Sequence, residues 1–336
     1  MPILSIDRRA KGEQSQQVQR ALFFCSCATV STIDYSRIFV PEEGGSVFTK
    51  ITNEKQETLS TPNVSIDDNG RMRWWNNPSF AISKDGTKIA YNVFKNDRRN
   101  IFVRELNKMG GATQRTFRNR VNDVCFSPDA KTICFTQIED KGSYIFLTDA
   151  QQGAVVQQVS TPGVEDYGPC YSLDGNQIFF SRRDGDNYFI WSYDINSNIF
   201  RNYCYGIAPQ PINDEEFVCV RVNSNDNFEI WRINFVKGTE SVILSQDERS
   251  FSTASVSPDG KWILCVSSSM PDGQKSQNLD IYVVRIDGSQ LTQLTYHRGN
   301  DCSPVWSSDG KKIYFLSQRG TENGEYNIWS MDFKLK

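Results

Sequence analysis

His297 is the only histidine in 336 residues, so no multi-histidine metal site can be assembled and any histidine-based relay would rest on one ring. No Gly-x-Ser-x-Gly stretch occurs, which excludes the nucleophile turn of an α/β-hydrolase. There is no Cys-x-x-Cys pair, and the nine cysteines are an odd number. Seven of them (Cys125, Cys134, Cys170, Cys204, Cys219, Cys265 and Cys302) are scattered, most of them inside apolar runs. They read as small buried hydrophobes, not as a disulfide framework. No apolar run approaches the roughly 18 residues of a membrane-spanning helix. Basic excess is missing as well. With 37 Lys and Arg against 40 Asp and Glu, nucleic acid is not expected as a partner.

What the chain has in abundance is one turn. Ser257-Pro258-Asp259-Gly260 sits between two short apolar runs, with proline pre-setting φ and glycine suited to a left-handed position. Ser83-Lys-Asp-Gly86, Ser127-Pro-Asp-Ala130, Ser172-Leu-Asp-Gly175 and Ser307-Ser-Asp-Gly310 repeat it, and Ile212-Asn-Asp-Glu-Glu216 is a degenerate copy. The turns fall at 85, 129, 174, 213, 259 and 309, spaced by 39 to 50 residues. Strand-like segments at that period point to propeller blades.

Each unit has the same parts. An apolar strand enters the turn (Val124-Cys-Phe, Pro304-Val-Trp) and a second leaves it (Ile133-Cys-Phe, Ile313-Tyr-Phe). A third alternates apolar and polar residues around Ile-Trp or a similar pair, and a fourth follows another turn. The last unit lacks its fourth strand, and Gly44-Gly-Ser-Val-Phe-Thr-Lys-Ile-Thr52 has the form of the missing piece. The expected fold is therefore all-β: a six-bladed β-propeller of four-stranded blades, closed by an N-terminal strand that completes the last blade. Residues 1–43 form an arm and 44–336 the propeller. The aromatic position filled by Trp191, Trp231, Trp329, Tyr282, Phe102 and Phe146 is assigned to packing between blades. The repeated aspartates are assigned to their turns.

Ser-Pro-Asp-Gly followed by Lys-x-Ile-x-Phe and then Ile-Trp-x-x-Asp resembles the TolB-type propeller repeat. Gln293-Leu-Thr-Tyr-His-Arg-Gly-Asn-Asp-Cys-Ser-Pro-Val-Trp-Ser-Ser-Asp-Gly310 is its most typical piece. The resemblance covers 44–336 and implies a protein-binding platform of the bacterial periplasm. It departs from TolB in having no room for the α/β domain that precedes that propeller. The same repeat also forms the propeller of prolyl-oligopeptidase-type enzymes. Sialidase-type aspartate boxes place glycine two residues after aspartate, and WD repeats need recurrent Gly-His and Trp-Asp pairs; neither pattern is met. Within the arm, Ala21-Leu-Phe-Phe-Cys-Ser-Cys27 resembles the end of a lipoprotein signal with Cys27 as the lipidated residue. Phe24 stands where leucine is usual, and the apolar stretch is shorter than a secretory signal needs. An arm ending in two ordinary cysteines is the other reading.

The expected binding face is the one opposite the aspartate turns, where the loops from second to third strand and from fourth strand to next blade emerge. Aromatic and arginine residues on such loops make interface hot spots. The candidates are Trp74, Trp75, Arg120, Tyr167, Arg249, His297, Arg298 and Asp301. The expectation is a non-catalytic scaffold that binds another protein, needs no cofactor or metal, and meets a membrane only through a lipid anchor at Cys27. A carbohydrate- or small-ligand-binding propeller using the central pocket is the alternative.

Overall fold

The structure is a computed structural model that describes residues 55–56, 79–95, 98–106, 111–118, 120–151, 155–247, 249–269, 278–297, 299–319 and 326–334. These residues form six antiparallel sheets of four strands and contain no helix. First in the chain is β1 (Lys55–Gln56). Blade one is β2 (Phe80–Ile82), β3 (Lys88–Lys95), β4 (Arg98–Glu105) and β5 (Thr113–Gln114). Blade two is β6 (Val121–Phe126), β7 (Thr132–Glu139), β8 (Gly142–Asp149) and β9 (Val155–Gln158). Blade three is β10 (Asp166–Tyr171), β11 (Gln177–Asp184), β12 (Asn187–Asp194) and β13 (Ile199–Tyr205). Blade four is β14 (Ile207–Pro211), β15 (Glu216–Val222), β16 (Phe228–Asn234) and β17 (Thr239–Leu244). Blade five is β18 (Phe251–Val256), β19 (Trp262–Ser269), β20 (Asn278–Arg285) and β21 (Thr292–Gln293). Blade six is β22 (Asp301–Trp306), β23 (Lys312–Ser317) and β24 (Asn327–Asp332), with β1 as its fourth strand.

First strands of successive blades are neighbours, and β2 also meets β22, so the six sheets form a ring around the first strands. The N-terminal side pairs with the last blade through Lys55 opposite Ser330 and Gln56 opposite Trp329. The stretch 44–52, expected in that role, lies outside the described residues.

The hairpin between first and second strands is held the same way in all five full copies. The serine hydroxyl donates to aspartate Oδ1 at 2.5 Å for Ser83 and 2.6 Å for Ser127, Ser172, Ser257 and Ser307. That Oδ1 accepts the amide two residues on, and the serine Oγ accepts the amide that opens the second strand, as Thr132 N does at 3.0 Å. The closing residue is left-handed: Gly86, Gly175, Gly260 and Gly310, with Ala130 at φ 56°. In blade four Asn213 replaces the aspartate, and its Oδ1 accepts Glu215 N at 2.8 Å. The repeated aspartates are thus turn residues.

Five first strands carry a bulge at one place, with Asp123, Gly168, Ala208, Thr253 and Ser303 left-handed. Each inserts a residue that the neighbouring strand does not match and increases local twist. The core lies in the seams. Trp262, Leu264, Ile281 and Val283 of blade five pack against Trp306, Ile313, Phe315 and Met331 of blade six. Ile145 and Cys134 of blade two meet Ile178 and Phe180 of blade three. Such side chains contribute roughly 1.5–3 kcal/mol each on full burial. Trp191, Trp231 and Trp329 pack half-buried against these seams, and arginines cover two of them: Arg182 lies 4.7 Å above Trp191 and Arg221 4.6 Å above Trp231.

Candidate binding faces

Antiparallel order puts the hairpins between second and third strands, and the links between blades, on the face away from the serine–aspartate turns. On this loop face the link from β5 to β6 is the best-defined feature. Thr116 is buried; its hydroxyl accepts Ile101 N at 2.9 Å and donates to Asn100 Oδ1 at 3.2 Å. Arg118 N donates to the same Asn100 Oδ1 at 3.0 Å, and its guanidinium lies 4.3 Å from the centre of the Phe146 ring. Between these two anchors Phe117 is 74% exposed, although a ring of this size normally gains by burial. Arg120 follows, exposed and left-handed at φ 53°, with Nη1 3.1 Å from Asp140 Oδ1. Arg98 is exposed on the adjacent hairpin of blade one.

A second cluster lies where blade three begins. Tyr167 is largely buried; its hydroxyl donates to Glu165 Oε2 at 2.9 Å and its ring contacts Tyr188 at 6.1 Å. Glu165 also pairs with Arg183 at 3.1 Å. Burial pushes the Tyr188 phenol up to about 12, so it remains a hydrogen-bond donor throughout the neutral range. Arg249 turns inward to Tyr282, with Nη1 3.5 Å from the phenol oxygen and the guanidinium 5.5 Å from the ring centre. His297 is half-buried, and its Nδ1 accepts the amide of Gly299 at 2.9 Å.

Asp301 corrects the expectation of an exposed loop residue. It opens β22, is fully buried, and receives Arg319 Nη2 at 2.7 Å. Asp166 does the same in blade three, with Arg182 Nε at 2.7 Å and Nη2 at 2.9 Å. A charge this deep requires an internal partner, so both pairs belong to the interior of the blades. Trp74, Trp75, Arg298 and Cys27 lie outside the described residues. The structure therefore puts Arg120 on the same exposed link as Phe117, and brings Tyr167 together with Glu165 and Arg183. It turns Arg249 and Asp301 inward. Phe117 was missed because nothing in Arg115-Thr-Phe-Arg118 tells an exposed ring from a core one; the arginines around it were the only signal.

The opposite face holds a groove of about 400 Å³ between the turns of blades five and six. Trp262, Trp306 and Phe333 line it together with Asp259 and Asp309. Trp306 and Phe333 meet edge to face at 4.8 Å, and the Trp306 indole donates to Ser255 O at 3.0 Å. The Ser307 hydroxyl keeps the Asp309 carboxyl below its ordinary value. At Asp259 burial opposes the same effect and is outweighed by Ser257 and the Lys261 amide. Both are anionic at neutral pH. Among the described residues no group of three or more His, Cys, Asp or Glu is placed to hold a metal ion.

Residues 76–275 match the family model of the TolB beta propeller domain, more than half of the chain. The chain belongs to the TolB β-propeller family. Two curated relatives match shorter stretches. The Tol-Pal system protein TolB of Francisella tularensis is 32% identical over 95 residues, covering 28% of this chain and 20% of that protein. Dipeptidyl-peptidase 5 of Porphyromonas gingivalis is 36% identical over 70 residues, covering 20% of this chain and 10% of the peptidase. The matched part is thus a fifth or less of either relative's length. The solved TolB of Acinetobacter baumannii superposes with a TM-score of 0.60 at 18% identity, over 74% of this chain and 64% of that one. At that identity the superposition speaks for the fold. The resemblance read from the turn repeat therefore holds at the level of family.

Proposed function

We propose that this TolB-type propeller is a non-catalytic scaffold of the bacterial cell envelope that binds another protein through its loop face. The observation that carries the reading is Phe117, an exposed aromatic ring held between two anchored residues on a link that also carries Arg118 and Arg120. An exposed ring among arginines has the composition of an interface hot spot. The similarity to TolB supports an envelope setting, and the Ser26-Cys27 sequence supports anchoring by lipid. The test is crosslinked co-purification from envelope extracts, comparing the wild-type chain with Phe117→Ala and Arg120→Ala. One specific partner should be recovered with the wild type and be depleted about tenfold or more by Phe117→Ala, a loss typical of a hot spot. No specific partner in any sample would remove the reading.

The groove between the turns of blades five and six supports a second reading, a small carbohydrate-like ligand. Aromatic side chains beside two carboxylates suit a polyol that offers both apolar faces and hydroxyls. This groove lies on the turn face, between the hairpins of two adjacent blades, whereas the pocket expected from sequence was the central one. A glycan array and a substrate screen that show neither binding nor turnover would eliminate it.

A further inference from the structure

Seven cysteines are described, all as free thiols; Cys134, Cys170, Cys219, Cys265 and Cys302 are buried, Cys125 and Cys204 half-buried. Burial holds the Cys265 and Cys170 thiols well above their ordinary value, as expected of inert core residues. Cys204 differs. It lies near the end of β13, on the seam between blades three and four, and packs in one cluster with Cys219 of β15.

Two residues beyond Cys219, on the same face of β15, is Arg221. Its Nε donates to the carbonyl of Tyr205 at 2.8 Å, the residue after Cys204. Its two Nη atoms hold Glu240 at 2.8 and 2.9 Å, and its plane lies over Trp231. The guanidinium is therefore fixed beside Cys204 by three partners. Gly206 then passes so close to blade four that a Cβ there would stand 3.0 Å from Cys219 Sγ. The Cys219 thiol, acting against burial and assisted by Arg221, lowers the pKa of Cys204, while Cys219 is pushed well up by the same contact and by burial. The contact thus drives the two thiols apart, Cys204 down and Cys219 up. Cys125 and Cys134, opposed across β6 and β7, form the only comparable pair among the described residues, and no cation contributes to lowering Cys125.

We propose that Cys204 is a peroxide-sensitive nucleophilic thiol and Cys219 its resolving partner, the two closing to a disulfide that staples blade three to blade four. The Cys204 thiolate attacks one oxygen of a hydroperoxide, ROOH; the S–O bond forms, the O–O bond breaks, and ROH leaves with a proton. Cys204 is then a sulfenic acid, no longer anionic, and the charge that had raised Cys219 is gone. Cys219 gives up its proton and attacks the Cys204 sulfur; the S–S bond forms, and the S–O bond breaks to release water. Two thiols and one hydroperoxide yield a disulfide, ROH and water.

The test uses the whole chain and hydrogen peroxide as the probe, with peptide mapping after alkylation. A linked Cys204–Cys219 peptide, two hydrogens lighter than the separate thiols, is expected before any change at Cys125 or Cys134. In Cys219→Ala, Cys204 should instead be trapped by dimedone. Arg221→Gln should slow alkylation of Cys204 by roughly tenfold, the effect of about one pKa unit, while Arg221→Lys keeps most of the rate. Thermal melting shows whether each variant is folded, and labelling of the wild type carries the comparison if one is not. The proposal is overturned if Cys204 stays reduced while Cys125 reacts, or if the wild type oxidises Cys204 without linking it to Cys219.

Discussion

At each full turn one serine hydroxyl does two things, donating to the aspartate and accepting the amide that opens the second strand. In Ser257→Ala the Trp262 amide loses its 2.9 Å partner and Asp259 its donor. About 1–2 kcal/mol should be lost in urea unfolding, in line with a missing cap or a buried orphan amide. The aspartates add a pH dependence whose sign follows from their lowered pKa values. Stability from a depressed carboxylate is complete above its unfolded value, 3.8, and disappears as pH falls through the lower folded one. These groups are mostly exposed, so solvent screening keeps each contribution small. Unfolding midpoints should hold to about pH 5 and fall below about pH 4, with a shallower fall in Asp309→Asn. Left-handed positions differ in how they bear a methyl group. Gly260→Ala should cost roughly 1 kcal/mol from backbone strain alone, as its Cβ would meet only Ile212 at 3.8 Å. At Gly86 an added Cβ would stand 2.9 Å from the Ser308 hydroxyl, and the loss should be larger. Removing Arg319 would strand the Asp301 charge in the interior, so Arg319→Ala should lower stability by about 3–5 kcal/mol.

Single strands show where sequence could be read and where it could not. The turn repeat located all six hairpins, including blade four, because hairpin chemistry is local and Asn213 preserves it. The bulges at Asp123, Ala208, Thr253 and Ser303 were invisible, since an extra residue breaks the alternation that marks a strand. The fourth strand of blade three, Ile199–Tyr205, went unrecognised because none of it is fully buried and its apolar residues do not alternate with polar ones. Likewise Asp301 and Arg249 looked like surface loop residues, because charge alone does not reveal a partner brought in from another strand. The short β1 is the element most open to test. Replacing Lys55 and Gln56 with proline removes the one of their two successive amides that faces β24, because neighbouring strand amides point to opposite sides. A fall in melting temperature of about 2 °C or more is expected, since roughly 1 kcal/mol corresponds to that shift in a chain of this size.

For the whole molecule, the ring makes every blade a neighbour of two others, so the seams carry the stability. Phe117→Ala and Arg120→Ala remove exposed atoms and should leave the unfolding midpoint within about 0.5 kcal/mol of wild type. Under the proposed function, partner association through the arginines of the loop face should slow as salt is raised, because screening weakens the attraction of exposed guanidiniums for an acidic surface.

The pairing of β1 with β24 also has a mechanical consequence. Residues about 270 positions apart in sequence are joined edge to edge within one sheet. A tension applied between the two ends therefore reaches the β1–β24 rungs before any other blade. Pulled in an optical trap, the propeller should first yield by a small extension there, and only then give up blades one after another, as a belt slackens once its buckle is open.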